Sequence, residues 1–494
     1  MSDRLNHANL PEGHLIGAAA PQRTGIVHFG LGNFHRAHLA VYTAKALAEE
    51  PGDWGIVGIA NRSHRVVDAM EAQEHLYSIL TLDPAGEEVG VVDVHRRTFV
   101  AAEDGPQVLE AIADPAHKIL TMTISEAGYH LNSRTNELET SSPDIAADLA
   151  NPGEPKTPLG LIAEGLVRRF EANQAPITVL SCDNLVSNGN TTKAAVGQYL
   201  EASGASEAMR AWLAENVTFP NAMVDRIVPG PTDDTKAAVE RILGVEDACP
   251  VPAERFTMWV IQDHFAAGRP KWEAGGAIFT EEVEKYELVK LRLLNGSHSL
   301  IAYLGALDGR DTIPASRAQQ FVADCVRAAI ENEYLPSIPL PDGFDAPAYI
   351  ESLFDRWNNT ALGDKTFRVG SDGSTKLVQR VPEPAVLMLD RGEVPQQLAL
   401  TVAGWICCVV PPAGFQPGPI ADAMAEPAKE RLLAATQDAT DVRSHVTAIM
   451  TGGFFPDALA AHPEFTDRVV EFCEAIVNDG VRAAAQLALA PSHF

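Results

Sequence analysis

In the run YELVKLRLLNGSHSLIAYL, residues 286–304, four groups able to do chemistry (Glu287, Lys290, Asn295 and His298) interrupt an apolar stretch with helical period. At ~100° per residue, setting Lys290 at zero puts Glu287 near ~60°, His298 near ~80° and Asn295 near ~140°, so one face of an α-helix is polar. Leu293, Leu300, Ile301 and Leu304 fill the rest of the circumference with hydrocarbon, which predicts a helix buried on most sides. Desolvation disfavours an ammonium and lowers the pKa of a lysine, so Lys290 in that setting is a candidate base near neutral pH. The helix rise separates it from Asn295 by only ~7.5 Å and from His298 by ~12 Å. Helical side chains lean toward the N-terminus, so both lean back over the turn that holds Lys290. The competing reading is a surface pair between Lys290 and Glu287 at i, i+3, with a capped or water-bonded His298.

Such a base needs a scaffold and a second reactant. Residues 24–29 alternate and are rich in β-branched side chains, Gly30-Leu31-Gly32 follow, and from His35 the pattern turns helical with Ala37, Ala40, Val41 and Ala44 on one side. Strand, G-x-G, then helix is the arrangement that lays a pyrophosphate against free amides at a helix N-terminus. His35 stands where a third glycine would complete the fingerprint; glycines at a tight turn are the simpler explanation. Residues 54–60 read as a second strand, ending where such a unit meets the adenosine ribose. A carboxylate there would favour NAD, but this chain offers Asn61, Arg62, Ser63, His64 and Arg65. Cations at that edge could receive a 2'-phosphate, or be solvated loop charges, so NADP stands open beside NAD.

Further strands are expected at residues 118–125 and 177–181, with a helix at 158–173 between them, which implies a largely parallel sheet covered on both faces. Ligands collect beyond the carboxyl ends of such strands, so Asn184 in the SCDN run becomes a candidate site residue, with a turn-forming DN pair as the alternative. In FPNAMVDRIVP, Asp225 beside Arg226 fits either a buried ion pair or a substrate-facing carboxylate. The glycine-rich AAGRPKWEAGGA looks like the boundary between two domains, 1–280 and 281–494. Beyond it the pattern becomes mainly helical, near residues 315–334, 346–358, 398–410, 427–435 and 468–489.

Composition excludes several classes. The chain has 494 residues, 46% hydrophobic and 21% charged, ordinary for a soluble globular protein long enough for two or three domains. A net charge of -28 repels phosphates at long range, which argues against nucleic-acid and anionic-membrane partners. Six cysteines without CxxC spacing or clustered histidines point away from disulfides and structural zinc. No signal-like N-terminus and no apolar run long enough to span a bilayer is evident, so a cytoplasmic location is the expectation.

Six motifs span most of the chain: HFGLGNFHRAH at 28–38, SEAGY at 125–129, SCDN at 181–184, FPNAMVDRIVP at 219–229, KLRLLNGSH at 290–298 and FRVGSDGSTK at 367–376. With these the chain resembles the mannitol dehydrogenase family, the long-chain polyol dehydrogenases. The resemblance implies an α/β fold with a Rossmann-type N-terminal domain and a mainly α-helical C-terminal domain. It also implies metal-independent hydride transfer between a polyol and a nicotinamide cofactor, D-mannitol to D-fructose first among substrates. Sugar-acid (fructuronate or tagaturonate) reductases and arabinitol dehydrogenases share much of the frame.

By motif, Lys290 matches the general base, Asn184 and Asn295 the asparagines that hold the reacting oxygen, and His298 the substrate-orienting histidine. Asp225, Arg368 and Lys376 match contacts to distal hydroxyls, and Gly30 and Gly32, with Asn33 and Phe34 beside them, the pyrophosphate loop. Arg62, His64 and Arg65 stand at the adenosine edge, where NAD-preferring relatives can carry acidic residues. Removing hydride from a carbinol requires that its hydroxyl proton leave too. Lys290 supplies a base for this, and Glu287, one turn earlier, could pass the proton onward or simply pair with the lysine. A catalytically silent dinucleotide-binding sensor is the reading from a different class; it would keep the glycine loop but have no need for a desolvated lysine beside two asparagines.

Overall fold

The computed structural model describes residues 3–19, 21–132 and 135–490. The chain divides into two compact units, residues 1–284 and 285–494.

The first unit is built on six parallel strands. β1 (Thr24–Phe29), β2 (Gly55–Ala60) and, after a hairpin of β3 (Tyr77–Asp83) and β4 (Gly86–Val92), β5 (His95–Val100) form one half. β6 (Ile119–Met122), β7 (Ile177–Ser181) and β8 (Val217–Thr218) form the other. Their spatial order is β5-β2-β1-β6-β7-β8, so the strand order reverses between β1 and β6, and the crevice beyond the carboxyl ends of those two strands is where a doubly wound sheet binds ligands. β1 alternates its side chains between two cores. Ile26 joins Ile56, Ile119 and Leu180 on one face, while Val27 and Phe29 join Val57, Ile59 and Leu120 on the other. Burial on both faces explains why these strands read as nearly continuous apolar runs.

Two smaller sheets complete the unit. β10 (Val251–Glu254) runs parallel to β3 beside the antiparallel β3–β4 pair. β9 (Ala222–Asp225) pairs antiparallel with β11 (Met258–Ile261), which runs parallel to β12 (Ile278–Phe279). The glycine-rich run expected as a boundary lies inside this unit. Its Trp272 is fully buried, packs on Trp259 at 4.7 Å between centroids, and donates to Thr43 in the helix Leu39–Glu49. One aromatic anchor outweighs the loose composition around it.

The second unit is helical. Expected helices are found at Ala346–Trp357, Gln396–Val409 and Lys429–Thr436. The one expected over 468–489 is broken by Gly480 at φ +89° into Pro463–Asp479 and Val481–Leu489. The central span is not one α-helix. An α-helix at Val283–Val289 passes into a π-helix at Lys290–Gly296 and back into an α-helix at Ser297–Leu307. A second π-segment, Ala329–Tyr334, continues the helix Gln320–Ala328. All six cysteines are buried and free.

Candidate active site

In the first unit, a cavity of about 870 Å³ opens beyond the carboxyl ends of β1, β2 and β6, lined by Gly30, Gly32, Asn33, Phe34, Arg62 and Thr123 among others. Gly30 has φ +98°, and a Cβ on it would lie 2.0 Å from the Thr123 carbonyl oxygen, so the turn admits only glycine. At Gly32 a Cβ would meet nothing closer than 3.8 Å, its nearest neighbour being the Gly30 oxygen. Glycine there leaves open room in the cavity floor that a side chain would fill. Gly32 caps the short helix Asn33–Ala37, whose first amides have no partner within the helix.

The missing third glycine is explained by what replaces it. The His35 ring lies flat on His28 of β1 with centroids 3.4 Å apart, and its Nε2 meets His95 Nε2 of β5 at 2.9 Å. One imidazole donates and the other accepts, which requires the accepting ring to be neutral. Burial pushes His28 down to about 3 and holds His35 and His95 well below the ordinary histidine range. His28 Nε2 also reaches the Gly30 carbonyl oxygen and Thr123 Oγ1, both at 3.1 Å. The helix-to-sheet approach that a glycine usually permits is thus made by stacked rings, which also hold the glycine turn.

At the adenosine edge the three cations part company. Arg62 lines the cavity. His64 begins the helix His64–Glu71 and is tied to Glu103 at 2.7 Å, a contact that raises its pKa. Arg65 is exposed, and neither it nor His64 is among the lining residues.

Two motifs in this unit prove to be one device. The buried Asp183 of SCDN accepts from the amides of Ile124 and Ser125 at 3.1 and 2.8 Å and from the Tyr129 hydroxyl of SEAGY at 2.8 Å. Burial outweighs these bonds and raises its pKa. Ser125 is held at φ 63°, ψ 163°, a region nearly reserved for glycine that costs of order 1–3 kcal/mol. The carboxylate clamp on its amide offsets that strain and shapes the cavity wall. Asn184 follows Asp183 on the exposed side, and Asp225 ends β9, 5% exposed. Arg226 beside it donates to the carbonyl oxygens of Glu254 and Ala37.

In the second unit, Glu287, Lys290, Asn295 and His298 are all half-buried, whereas Val289, Arg292, Leu293, Leu294 and Gly296 are buried. The π-helix changes their relative bearing. At roughly 80° per residue for an i→i+5 helix, Asn295 stands about 40° from Lys290, where α-helical geometry would place it ~140° away. His298 then lies about 40° to the other side and packs on Trp357 with centroids 5.8 Å apart. Arg368 is exposed and paired with Asp364 at 2.7 Å. Lys376 donates to the carbonyl oxygens of Ser371 and Val369 at 2.7 and 3.2 Å. Its pKa is lowered first by burial and then by Arg380. No group of three His, Cys, Asp or Glu side chains suited to a metal ion occurs among the described residues.

Sequence reasoning gave no role to Thr123, Asp183, the histidine stack or Arg380. The first two lie at strand ends and were reachable by the rule that such positions face ligands; the others depend on which elements pack together.

Residues 24–274 match the model of the mannitol dehydrogenase Rossmann domain and residues 282–477 that of the mannitol dehydrogenase C-terminal domain. The chain is 39% identical to D-mannonate oxidoreductase of Escherichia coli, over 77% of this chain and 79% of that protein. It is 38% identical to mannitol 2-dehydrogenase of Cereibacter sphaeroides, over 77% of this chain and 80% of that protein. A solved structure of Pseudomonas fluorescens mannitol 2-dehydrogenase, a ternary complex with NAD and D-mannitol, is similar with a TM-score of 0.85 and 31% identity, covering 98% of this chain and 99% of the other.

Proposed function

Because the chain belongs to the mannitol dehydrogenase family of oxidoreductases, we propose that it interconverts a polyol and a ketose by reversible hydride transfer with NAD, D-mannitol and D-fructose being the first pair to test. The cavity beyond β1 and β6 fits a dinucleotide. Gly30 makes the turn, Gly32 leaves the floor open, and Asn33 and Phe34 present the amides for the pyrophosphate. Arg62 stands at the adenosine end. NAD, when bound, supplies the hydride acceptor.

The remaining chemistry is the chain's own. Lys290 takes the hydroxyl proton as the carbinol carbon is oxidised and returns it in the reverse direction. Asn295 donates its amide to the reacting oxygen, and Asn184 is assigned the same task; each well-placed donor contributes on the order of 3 kcal/mol. His298 orients the substrate, Asp225, Arg368 and Lys376 take its distal hydroxyls, and Glu287 passes the proton from Lys290 to solvent. The observation that carries this reading is a half-buried Lys290 in a π-helix, whose winding of roughly 80° per residue sets Asn295 about 40° from it.

The test is turnover of mannitol, arabinitol, sorbitol and mannonate with NAD or NADP, read from the ultraviolet absorbance of the reduced nicotinamide. Turnover of mannitol with NAD is expected; inactivity on all four overturns the proposal in favour of a binding protein. Lys290→Ala should lower kcat by about 10²–10⁴-fold with dinucleotide affinity unchanged, and an undiminished kcat removes the lysine from its role.

A further inference from the structure

The π-helix Lys290–Gly296 needs a cause. π-segments are uncommon and tend to stand at functional sites, yet nothing in KLRLLNG forbids an ordinary α-helix. The cause lies in what packs around the segment. Arg380, last residue of the helix Gly373–Arg380, sends one nitrogen, Nη1, to the backbone carbonyl oxygen of Asn295 at 2.9 Å and to Ser299 Oγ at 2.8 Å. Asn295 and Ser299 are four residues apart and straddle the point where the π-helix returns to α, so the guanidinium clips the junction itself.

Behind the same turn, the Tyr334 ring fills the space beside Gly296: a Cβ on that glycine would stand 2.4 Å from the Tyr334 hydroxyl oxygen. Gly296 has helical φ of -62°. Glycine is required there for room and not for backbone freedom.

Arg380 is half-buried, and its bonding differs from that of a saturated structural arginine in the same chain. Arg169, fully buried in the first unit, gives five N–H bonds to the carbonyl oxygens of Ile112, Asp114, His117, Ala175 and Pro176. It is saturated, as a structural guanidinium should be. Arg380 has no carboxylate partner among the described residues, and its Nε is buried with no acceptor.

We propose that Arg380 is a positioning residue of the reaction: by clipping the Asn295 carbonyl to Ser299 it holds the π-turn that brings the Asn295 amide around to Lys290. This rests on the functional reading above, in which Asn295 serves the reacting oxygen. Without the clip, the turn relaxes toward α-helical winding and the Asn295 side chain swings by about 100° away from the lysine. The donor is lost while its residue remains.

The experiment uses Arg380→Ala and Arg380→Lys in the full-length protein with two readouts. Hydrogen–deuterium exchange reads the turn directly, whatever the substrate. Exchange over residues 290–299 should accelerate at least about tenfold in Arg380→Ala, with other helices of the unit unchanged and with reversal by millimolar guanidinium. In turnover, kcat should fall about 10²-fold, the loss expected for one oxyanion donor, with the KM for NAD within twofold and partial rescue by guanidinium. Arg380→Lys should be intermediate, because the shorter lysine side chain brings its ammonium to the two acceptors with poorer reach than Nη1. Unchanged exchange over residues 290–299, or a kcat within threefold of wild type, overturns the positioning role. A wild-type protein inactive on every polyol but showing the exchange effect would sink the functional reading and leave the clip standing.

Discussion

Two irregular turns carry the candidate chemistry, one in each unit, and each contains a glycine with no room for a side chain. At Gly30 the backbone sits at φ +98° and touches the Thr123 carbonyl; at Gly296 the backbone is helical and the obstacle is a tyrosine ring. The first glycine is demanded by its own positive φ, which the Thr123 carbonyl reinforces; the second has an ordinary φ and is demanded only by a neighbour distant in sequence. A local demand leaves a local sequence signal, strand-GxG-helix. A tertiary demand leaves only NGSH, whose glycine looks like a helix breaker and is nothing of the kind.

The largest effect expected from this contrast is at Gly30. Gly30→Ala adds both φ strain and a backbone clash, so dinucleotide binding should weaken by about 10²-fold or more and stability should fall by about 2–4 kcal/mol; calorimetric titration and thermal unfolding measure the two. A well-tolerated alanine would mean that the turn can be rebuilt and the comparison is empty.

Gly296→Ala should act differently. It pushes on a side chain, so kcat should fall about 10–10²-fold with dinucleotide affinity unchanged. The buried Tyr334 hydroxyl has no hydrogen-bond partner among the described residues, so Tyr334→Phe alone should change stability by less than about 1 kcal/mol. If Gly296→Ala damages dinucleotide binding as much as turnover, the two turns are not independent.

A smaller and pH-dependent effect comes from the neighbour of Tyr334. Glu333 is buried, accepts from the amides of Gln397 and Leu398 at 2.7 and 2.8 Å, and is pushed up to about 7 by burial. The folded state therefore binds this proton more tightly than the unfolded state. Stability from this group is greatest at low pH and falls as pH rises from about 4.5 through about 7, then levels. In thermal unfolding across that window, wild type should lose stability relative to Glu333→Gln, by on the order of 3 kcal/mol in total. A difference that stays flat or grows with pH contradicts the burial argument. Because Glu333 lies in the π-segment that contains Tyr334, the same titration also reports how firmly the Gly296 turn is backed.

The parallel sheet was legible because burial on both faces writes itself as apolar runs, as at Ile177–Ser181, whose bounds match the expected strand. The glycine turn was legible because positive φ selects glycine. Lys290, Asn295 and His298 were legible as candidates because polar groups in an apolar helix are expensive and therefore informative. Their bearing was not. Helical period alone placed Asn295 ~140° from Lys290, and the π-turn reduces this to about 40°.

What the amino-acid order determines here is whatever depends on a residue and its near neighbours: the alternation of strand and helix, the turn that requires Gly30, the list of groups with chemistry to offer. What only the folded chain decides is how distant groups change a neighbour's geometry. His35 can replace a glycine because His28 and His95 are there to receive its ring. The helix carrying Lys290 can widen because Arg380 and Tyr334 arrive from elsewhere to meet it. Local preferences amount to fractions of a kcal/mol per residue; a guanidinium or an aromatic ring in contact outweighs them, and leaves a single glycine as its trace in the segment it reshapes.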